Sequence, residues 1–372
     1  MNGSLRLSHC LATLPVYQPG RPIEEVAREL GLPVEGIIKM ASNENPLGPS
    51  PAALEAIRDA LPQLHLYPDG NAFFLKQKLA RKYGVTIPQL TLGNGSNEIL
   101  ELIGHALLCP GDEVVVSEYC FAVYPIVAHL YGAKLVTVQA KNQGHDLPAM
   151  RRAITPRTKL VFVANPNNPT GTLAPAEEVR QLVREAPSHV LVVMDEAYIE
   201  FLEDPVDLLP LIRSEQQSNL MLVRTFSKIY GLAGLRVGYG FGHPDIISAL
   251  EKVRAPFNVN SLAQVAALAA MDDTEHMRRT RENNRTGQQF LAAGLRRLKL
   301  EFIPSQTNFV MARVGHGQQV FESMQRQGVI ARPVGGYRLP EWLRISVGTP
   351  GENARCLAAL EQALTEPQEK PR

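Results

Sequence analysis

The chain has 372 residues, of which 45% are apolar and 20% are charged, a balance typical of a globular protein. Its length exceeds that of one ordinary core and favours a large domain with a smaller one. The formal net charge of +1 gives no electrostatic reason to expect nucleic acid or an anionic membrane as a partner. We see no apolar stretch long enough to span a bilayer and no apolar signal-peptide region at the N-terminus.

The four cysteines and nine histidines indicate neither a disulfide framework nor a metal site. The cysteines are scattered without CxxC spacing, as expected of reduced thiols in a cytoplasmic protein. No two histidines stand at HxH or HxxxH spacing. We therefore expect a cytoplasmic location and no metal.

Between Leu90 and Tyr239, strand-like runs alternate with amphipathic segments. The runs are short, rich in Val and Leu, and apolar on both faces, which predicts a buried and mostly parallel sheet. Helical segments between them, such as Pro175–Glu185, complete βαβ units. A glycine-rich turn leads into a helix that begins near Ser96, and such a helix start is a ready anion site. The predicted strands include Glu113–Ser117, Lys134–Val138, Thr158–Ala164, His189–Met194 and Leu220–Thr225.

After Pro256 the pattern changes to long helices followed by short strands. We interpret this part as a second, α+β domain against which the N-terminal segment packs. The expected boundaries are 1–45 for the N-terminal arm, 46–258 for the large domain and 259–372 for the small domain. The predicted helices are Ser261–Met271, Thr274–Leu298 and Gln318–Gln327, and the predicted strands are Thr307–Val314 and Trp342–Val347.

Ser227-Lys228, followed eight positions later by Arg236, carries the strongest chemical signal. A lysine amine can form a Schiff base with a phosphorylated aldehyde, while a hydroxyl and a guanidinium bind the phosphate. Pyridoxal phosphate (PLP) is such an aldehyde. Once the substrate amine displaces Lys228, its free amine can shuttle a proton between the substrate Cα and the cofactor C4′. The alternative is a surface lysine on a turn.

Three further side chains match the polar contacts that PLP requires. Asp195 closes an apolar run, and its carboxylate would keep the pyridine nitrogen protonated. Tyr198 and Asn168 would donate hydrogen bonds to the phenolic oxygen. A capping role for Asp195 and a turn role for Asn168 are the alternatives. The phosphate site would be completed by backbone N–H groups at a helix start, those of Gly95, Ser96 and Asn97.

These segments occur in the order found in the fold-type I, class II PLP-dependent aminotransferases, and within them the chain is similar to the histidinol-phosphate aminotransferases. The resemblance extends from about Leu14 to Ala363. It implies an α/β fold whose large domain has a mostly parallel, seven-stranded sheet flanked by helices, with a smaller α+β domain. Besides the residues above, the similar segments are Tyr17-Gln18-Pro19-Gly20, Asn43-Glu44-Asn45-Pro46, Tyr67-Pro68-Asp69-Gly70, Arg332-Pro333 and Leu339-Pro340-Glu341-Trp342-Leu343-Arg344.

The resemblance also implies roles for aromatic residues. Phe121 matches the position at which the family stacks an aromatic ring on the cofactor, where many relatives have tyrosine. Tyr119 is the alternative stacking ring, and Phe121 could instead be a core aromatic packed with Tyr124. Tyr67, otherwise a turn residue, matches a tyrosine that reaches the cofactor phosphate of the other subunit. This match implies a homodimer with composite active sites.

Arg344 lies in an otherwise apolar strand candidate, where a charge costs stability unless it is paired. Its proposed partner is the glutamate α-carboxylate in one half-reaction, held bidentately, and the substrate phosphate in the other. The resemblance adds Tyr17, Asn45 and Arg332 as substrate-binding residues. For Tyr17 and Arg332, a structural hydrogen bond or salt bridge is the alternative.

The implied reaction is amino transfer between L-histidinol phosphate and 2-oxoglutarate, giving imidazole-acetol phosphate and L-glutamate in histidine biosynthesis. An aromatic or broad-specificity aminotransferase and a threonine-phosphate decarboxylase are alternatives on the same scaffold. A regulatory PLP-binding protein would add an N-terminal DNA-binding module. We disfavour it because the roughly forty residues before Asn43 contain no basic helix-turn-helix.

Overall fold

The structure, a computed structural model, describes Cys10, Leu14 and residues 20–366. No helix within these residues is long and apolar enough to cross a membrane. The described strands are β1 (Ile38–Lys39), β2 (Leu90–Gly93), β3 (Glu113–Ser117), β4 (Lys134–Val138), β5 (Thr158–Ala164), β6 (Leu191–Asp195), β7 (Leu220–Thr225), β8 (Gly238–Gly242), β9 (Phe302–Ile303), β10 (Phe309–Arg313), β11 (Val329–Ile330), β12 (Arg332–Val334) and β13 (Leu339–Ser346). The described helices are α1 (Ile23–Leu30), α2 (Pro51–Ala60), α3 (Phe73–Tyr83), α4 (Ser96–Leu107), α5 (Val123–Leu130), α6 (Leu147–Arg152), α7 (Ala176–Glu185), α8 (Leu209–Arg213), α9 (Pro244–Val253), α10 (Ser261–Ala270), α11 (Thr274–Arg297), α12 (Gly317–Arg326) and α13 (Pro350–Thr365).

The large domain is built on a seven-stranded sheet in the order β2-β8-β7-β6-β5-β3-β4. Only β8 among these strands runs antiparallel to its neighbours, β2 and β7. The other pairs are parallel. The predicted α/β class and mostly parallel seven-stranded sheet are therefore confirmed.

Helices cover both faces of this sheet because successive side chains of each strand point to opposite sides. Leu191 and Val193 pack with α4, α5 and α9. Val192 and Met194 pack on the other side with α2, α3, α7 and α10. Each such side chain, when fully buried, stabilises the fold by about 1.5–3 kcal/mol. The two layers of helices thus stabilise the sheet, and the carboxyl ends of its parallel strands line the cavity described below.

The expectation of burial on both faces is wrong for β4. This strand forms one edge of the sheet and pairs only with β3 among the described strands. Lys134 and Thr137 are exposed, and the other three residues are only half-buried. Strand β4 thus has solvent on part of its surface, whereas β3, one strand further in, is buried throughout.

The smaller domain contains an antiparallel sheet in the order β12-β13-β10-β9. Helices α11, α12 and α13 pack on it around a separate apolar core. Strand β1, from the N-terminal part of the chain, pairs in parallel with β11. The expected domain boundaries at 45 and 258 stay a prediction.

Candidate active site

A cavity of about 370 Å³ lies between the two domains, at the carboxyl ends of the parallel strands. Chain connectivity explains its lining, because loops that leave one edge of a parallel sheet meet there. Phe121 follows β3, Asn168 follows β5, Asp195 ends β6 and Lys228 follows β7. The small domain contributes residues of β12 and β13, Arg332 and Arg344.

The glycine-rich turn and Arg236 reach the same edge because β8 lies reversed between β2 and β7. In register, Gly238 stands between Gly93 and Thr225. The end of β2 and the start of β8 therefore adjoin. Gly95 precedes α4 with a φ of 77°, and a Cβ atom there would lie 2.4 Å from Nη2 of Arg236. Glycine at this position therefore allows the Arg236 guanidinium to lie against the start of α4.

Next to that turn, Ser96, Asn97, Ser227 and Arg236 all line the cavity. The N-terminus of α4 carries unpaired N–H groups and a partial positive charge. The Ser227 hydroxyl and the Arg236 guanidinium add two donors that come from the β7–β8 connection. Together these groups form a site suited to a phosphate.

The Lys228 amine lies inside the cavity and donates to the carbonyl oxygen of Ser42 at 3.3 Å. Burial lowers the pKa of this amine to about 8, and Arg344 and Arg236 act in the same direction. Glu44 opposes the shift. A substantial fraction of the amine is therefore neutral near physiological pH, as a nucleophile or general base must be.

Asp195 is buried and faces the cavity from the end of β6. Burial raises its pKa, and hydrogen bonds from Tyr124 and Ala197 oppose this change. The Tyr124 hydroxyl donates to Oδ2 at 2.8 Å, and the Ala197 N–H donates to Oδ1 at 3.1 Å. The two hydrogen bonds thus hold the carboxylate in one orientation, in which it can pair with a positively charged group in the cavity.

Tyr198 and Asn168 both line the cavity, and each is held by a further side chain. Burial raises the pKa of Tyr198 to about 12, so its hydroxyl stays protonated, and it accepts from Nδ2 of Asn43 at 2.8 Å. Oδ1 of Asn168 accepts from Nη1 of Arg344 at 2.6 Å. That contact commits the amide oxygen and leaves the Asn168 NH₂ as the group that can donate elsewhere.

Arg344 is buried, as its strand position predicts, and is hydrogen bonded. Besides Asn168, it donates from Nη2 to the carbonyl oxygen of Ala41 at 2.7 Å. Its guanidinium also lies over the ring of Phe309, 5.3 Å from the centroid. Arg332, directly opposite in the β12–β13 register, lines the cavity as well. Two guanidinium groups therefore stand where a substrate anion could bind.

Three of the predicted site residues lie elsewhere in this chain. Asn45 does not line the cavity, and its amide donates to Ile229 O and Thr280 Oγ1; its contact with the substrate stays a prediction. Tyr119 packs on the small-domain cluster that includes Trp342, so of the two candidate stacking rings Phe121 is the one that lines the cavity. Tyr67 is 83% exposed. Tyr17 lies outside the described residues.

The structure adds Asn43, Glu44 and Tyr124 to the site. Asn43 and Glu44 belong to the same similar segment as Asn45, and the positive φ of Asn43, 57°, turns its side chain toward Tyr198. Glu44 lines the cavity and forms an ion pair with Lys39 at 3.2 Å. Tyr124 is expected from its helical spacing only as a packing partner of Phe121, and the two rings do meet edge-on; its contact with the site through Asp195 has no such signal.

Comparison with known proteins agrees with this geometry. The model of the family "Aminotransferase class I and II" matches residues 35–360. Histidinol-phosphate aminotransferase of Akkermansia muciniphila is 52% identical over 94% of this chain and 96% of its own. Histidinol-phosphate aminotransferase 2 of Pseudomonas fluorescens is 53% identical over 94% of this chain and 95% of its own. The crystal structure of histidinol-phosphate aminotransferase from Sinorhizobium meliloti in complex with pyridoxal-5′-phosphate superposes with a TM-score of 0.89 at 30% identity, covering 98% of both chains. The chain therefore belongs to the class I and II aminotransferase family, as its sequence segments predicted.

Proposed function

We propose that this chain is a PLP-dependent aminotransferase that moves an amino group between L-histidinol phosphate and 2-oxoglutarate. The products are imidazole-acetol phosphate and L-glutamate, and the reaction belongs to histidine biosynthesis. The observation that carries the proposal is one cavity in which Lys228 and Asp195 face a phosphate-type site and two further arginines, Arg332 and Arg344. The names of the relatives at 52–53% identity support the choice of substrate.

The residues present fit PLP at every polar group of the cofactor. Lys228 would bind its aldehyde carbon, and Asp195 its pyridine nitrogen. Tyr198 and the Asn168 NH₂ would donate to its phenolic oxygen, and Phe121 would stack on its ring. The phosphate would be held by the start of α4, by the Ser227 hydroxyl and by Arg236.

When bound, PLP supplies a conjugated pyridinium ring that accepts the electron pair released at the substrate Cα. The chain supplies the proton chemistry around that ring. The neutral Lys228 amine would take the proton from the substrate Cα and return it at the cofactor C4′. The Asp195 carboxylate would hold the proton on the ring nitrogen, and this charge pairing would favour electron withdrawal toward the ring.

Arg344 and Arg332 would bind the anionic end of each substrate. Glutamate presents an α-carboxylate, whereas histidinol phosphate has none and presents a phosphate. A planar guanidinium can form two parallel hydrogen bonds with either group. This is why one site can serve both half-reactions with the same arginines.

The substrate proposal is tested by comparing amino transfer from glutamate to imidazole-acetol phosphate, phenylpyruvate and oxaloacetate. We expect kcat/KM to be highest for imidazole-acetol phosphate, by tenfold or more. Higher efficiency with phenylpyruvate would replace the proposal with an aromatic aminotransferase. Carbon dioxide release from threonine phosphate, without amino transfer, would instead indicate a decarboxylase.

We further propose a homodimer with composite active sites, located in the cytoplasm, where we expect the biosynthetic reaction to take place. Tyr67 stacks on Phe257 at a centroid distance of 4.9 Å, outside the cavity of its own chain. Phe73 and Phe74 are exposed nearby in the chain, by 52% and 70%. Large apolar side chains exposed at a surface are found at many protein interfaces.

Mixing the variants Lys228→Ala and Tyr67→Ala tests the composite site. If Tyr67 serves the other subunit, a mixed dimer has one site with both lesions and one site with neither. Activity should then rise above that of either parent after subunit exchange. If exchange is verified by mass-tagged subunits and activity does not rise, Tyr67 does not act across the interface.

A further inference from the structure

Tyr124 is one of the largest side chains without solvent exposure in this protein, and no step proposed above uses it. It lies in the first turn of α5 and contacts two residues of the cavity lining, Phe121 and Asp195. Its ring stacks on Phe162 of β5 with a centroid distance of 4.7 Å and an interplanar angle of 7°. Phe121 meets the same ring edge-on at 5.7 Å. The ring is thus held from two sides and cannot turn without disturbing both neighbours.

The Tyr124 hydroxyl is aimed at Asp195. It donates to Oδ2 at 2.8 Å, and both groups are buried. Burial, with the Asp195 charge as the next cause, raises the pKa of Tyr124 well above its ordinary value. The phenol therefore stays protonated near neutral pH and donates to the ionised carboxylate.

The contact matters because Asp195 has few other stabilising partners. Among the hydrogen bonds of the described residues, its carboxylate accepts from Tyr124 and from the Ala197 backbone. Burial raises the pKa of Asp195, and the Tyr124 hydrogen bond is the largest opposing influence. Without that donor, a buried carboxylate would be more easily neutralised by a proton.

We infer that Tyr124 is a positioning residue that fixes the orientation and the charge of the Asp195 carboxylate, and the place of the Phe121 ring, for the cofactor. The inference rests on the proposed function in that PLP is the group bound in the cavity. It does not depend on which amino acid the enzyme prefers. Tyr124 touches Phe121 and Asp195 at once, so one side chain sets two of the contacts that we assign to the pyridine ring.

The experiment is Tyr124→Phe, which removes one oxygen and keeps the ring between Phe162 and Phe121. We expect the Kd of the apoprotein for PLP at neutral pH to rise about tenfold or more, as on loss of a hydrogen bond to a charged group. Because Asp195 must be ionised to pair with the ring nitrogen, the affinity for PLP should decrease as the pH is lowered, and we call this decrease the acid limb. The acid limb should begin at a higher pH in the variant than in the wild type. If the phenol had only a structural role, the acid limb would begin at the same pH in both proteins.

Tyr239→Phe is the matched control. Tyr239 is as deeply buried, and its hydroxyl is hydrogen bonded to that of Tyr83 at 2.9 Å on the opposite face of the sheet. This variant should keep the wild-type Kd and acid limb. Equal Kd values and equal acid limbs for Tyr124→Phe and Tyr239→Phe would overturn the inference. Wild-type apoprotein that binds no PLP would instead overturn the proposed function.

A double-mutant cycle covers the case in which Tyr124→Phe folds poorly. In an Asp195→Asn background the charge that the phenol stabilises is absent, so adding Tyr124→Phe should not change the Kd for PLP further. The inference also requires the double variant to melt at least as high as Tyr124→Phe alone, because no buried charge has lost its donor. An additive loss of affinity in the double variant would contradict it.

Discussion

Replacing Arg344 by lysine separates the shape of the guanidinium from its charge. Arg344 is buried and donates to Asn168 Oδ1 at 2.6 Å and to Ala41 O at 2.7 Å. A lysine side chain keeps the positive charge but has a single nitrogen, so it cannot hold both oxygens and also form two parallel bonds with a substrate anion. The substitution therefore removes at least one charge-assisted hydrogen bond in the substrate complex.

The loss of one such bond costs about 1.5–3 kcal/mol, which corresponds to a decrease of roughly 10- to 160-fold in kcat/KM. We expect this decrease with glutamate and with histidinol phosphate, mainly as a higher KM. The absorption spectrum of the bound cofactor should change little, because Lys228 keeps its charged neighbour. Initial rates of both half-reactions and the visible spectrum measure these two effects separately.

The variant Arg344→Gln differs from Arg344→Lys in that it removes the positive charge together with the guanidinium. Arg344 lowers the pKa of Lys228, so its removal should move that pKa upward from about 8. Arg313→Lys is the control, since Arg313 lies on the neighbouring strand β10 with its ion pairs at the surface. An Arg344→Lys enzyme within twofold of the wild-type kcat/KM for both substrates would refute the role of Arg344 in substrate binding.

Three further changes test the cofactor assignments. Borohydride should bleach the visible band of the protein loaded with PLP and fix the cofactor on Lys228, as a peptide mass map can verify, and a Lys228→Ala protein that still fixes PLP would remove that assignment. Asp195→Ala should lower kcat by three decades or more, roughly 4 kcal/mol of barrier, whereas near-normal turnover would mean that Asp195 only ends a strand. The rate of PLP uptake by the apoprotein should rise with pH and level off above about 8, the pKa of Lys228, because only the neutral amine reacts, and a plateau that begins only near pH 10 would contradict the shift.

Much of the site could be predicted because its residues stand directly after buried strands. Asp195, Asn168 and Lys228 each follow a Val- or Leu-rich run, and parallel strands bring their carboxyl ends to one edge. Once the strands are assigned from the sequence, these residues are expected to lie together. Arg236 is predicted from its position eight residues after Lys228. The antiparallel strand β8, which brings Arg236 to the cavity, has no signal of its own in the sequence.

Other features depend on tertiary contacts that no local pattern contains. Which amide of Asn43-Glu44-Asn45 faces the cavity is decided by the left-handed backbone at Asn43, and that conformation is set by its bonds to Ser346. The hydrogen bond between Tyr124 and Asp195 joins residues 71 positions apart. The exposed edge of β4 follows from its place last in the sheet order, which its composition does not specify.

The charges of the cavity connect substrate recognition with proton transfer. The arginine that we assign to the substrate anion also lowers the pKa of the Lys228 amine, after burial itself. An anion bound at Arg344 offsets part of that positive charge, so the pKa of the amine should rise when the substrate is in place. A more basic amine takes a proton from carbon more readily. The same guanidinium would thus increase the neutral fraction of the free Lys228 amine when no substrate anion is bound, and the amine would be a stronger base when one is. In the Arg344→Gln variant, a dicarboxylate concentration that saturates the wild type should leave the Lys228 pKa unchanged, because the anion no longer binds there.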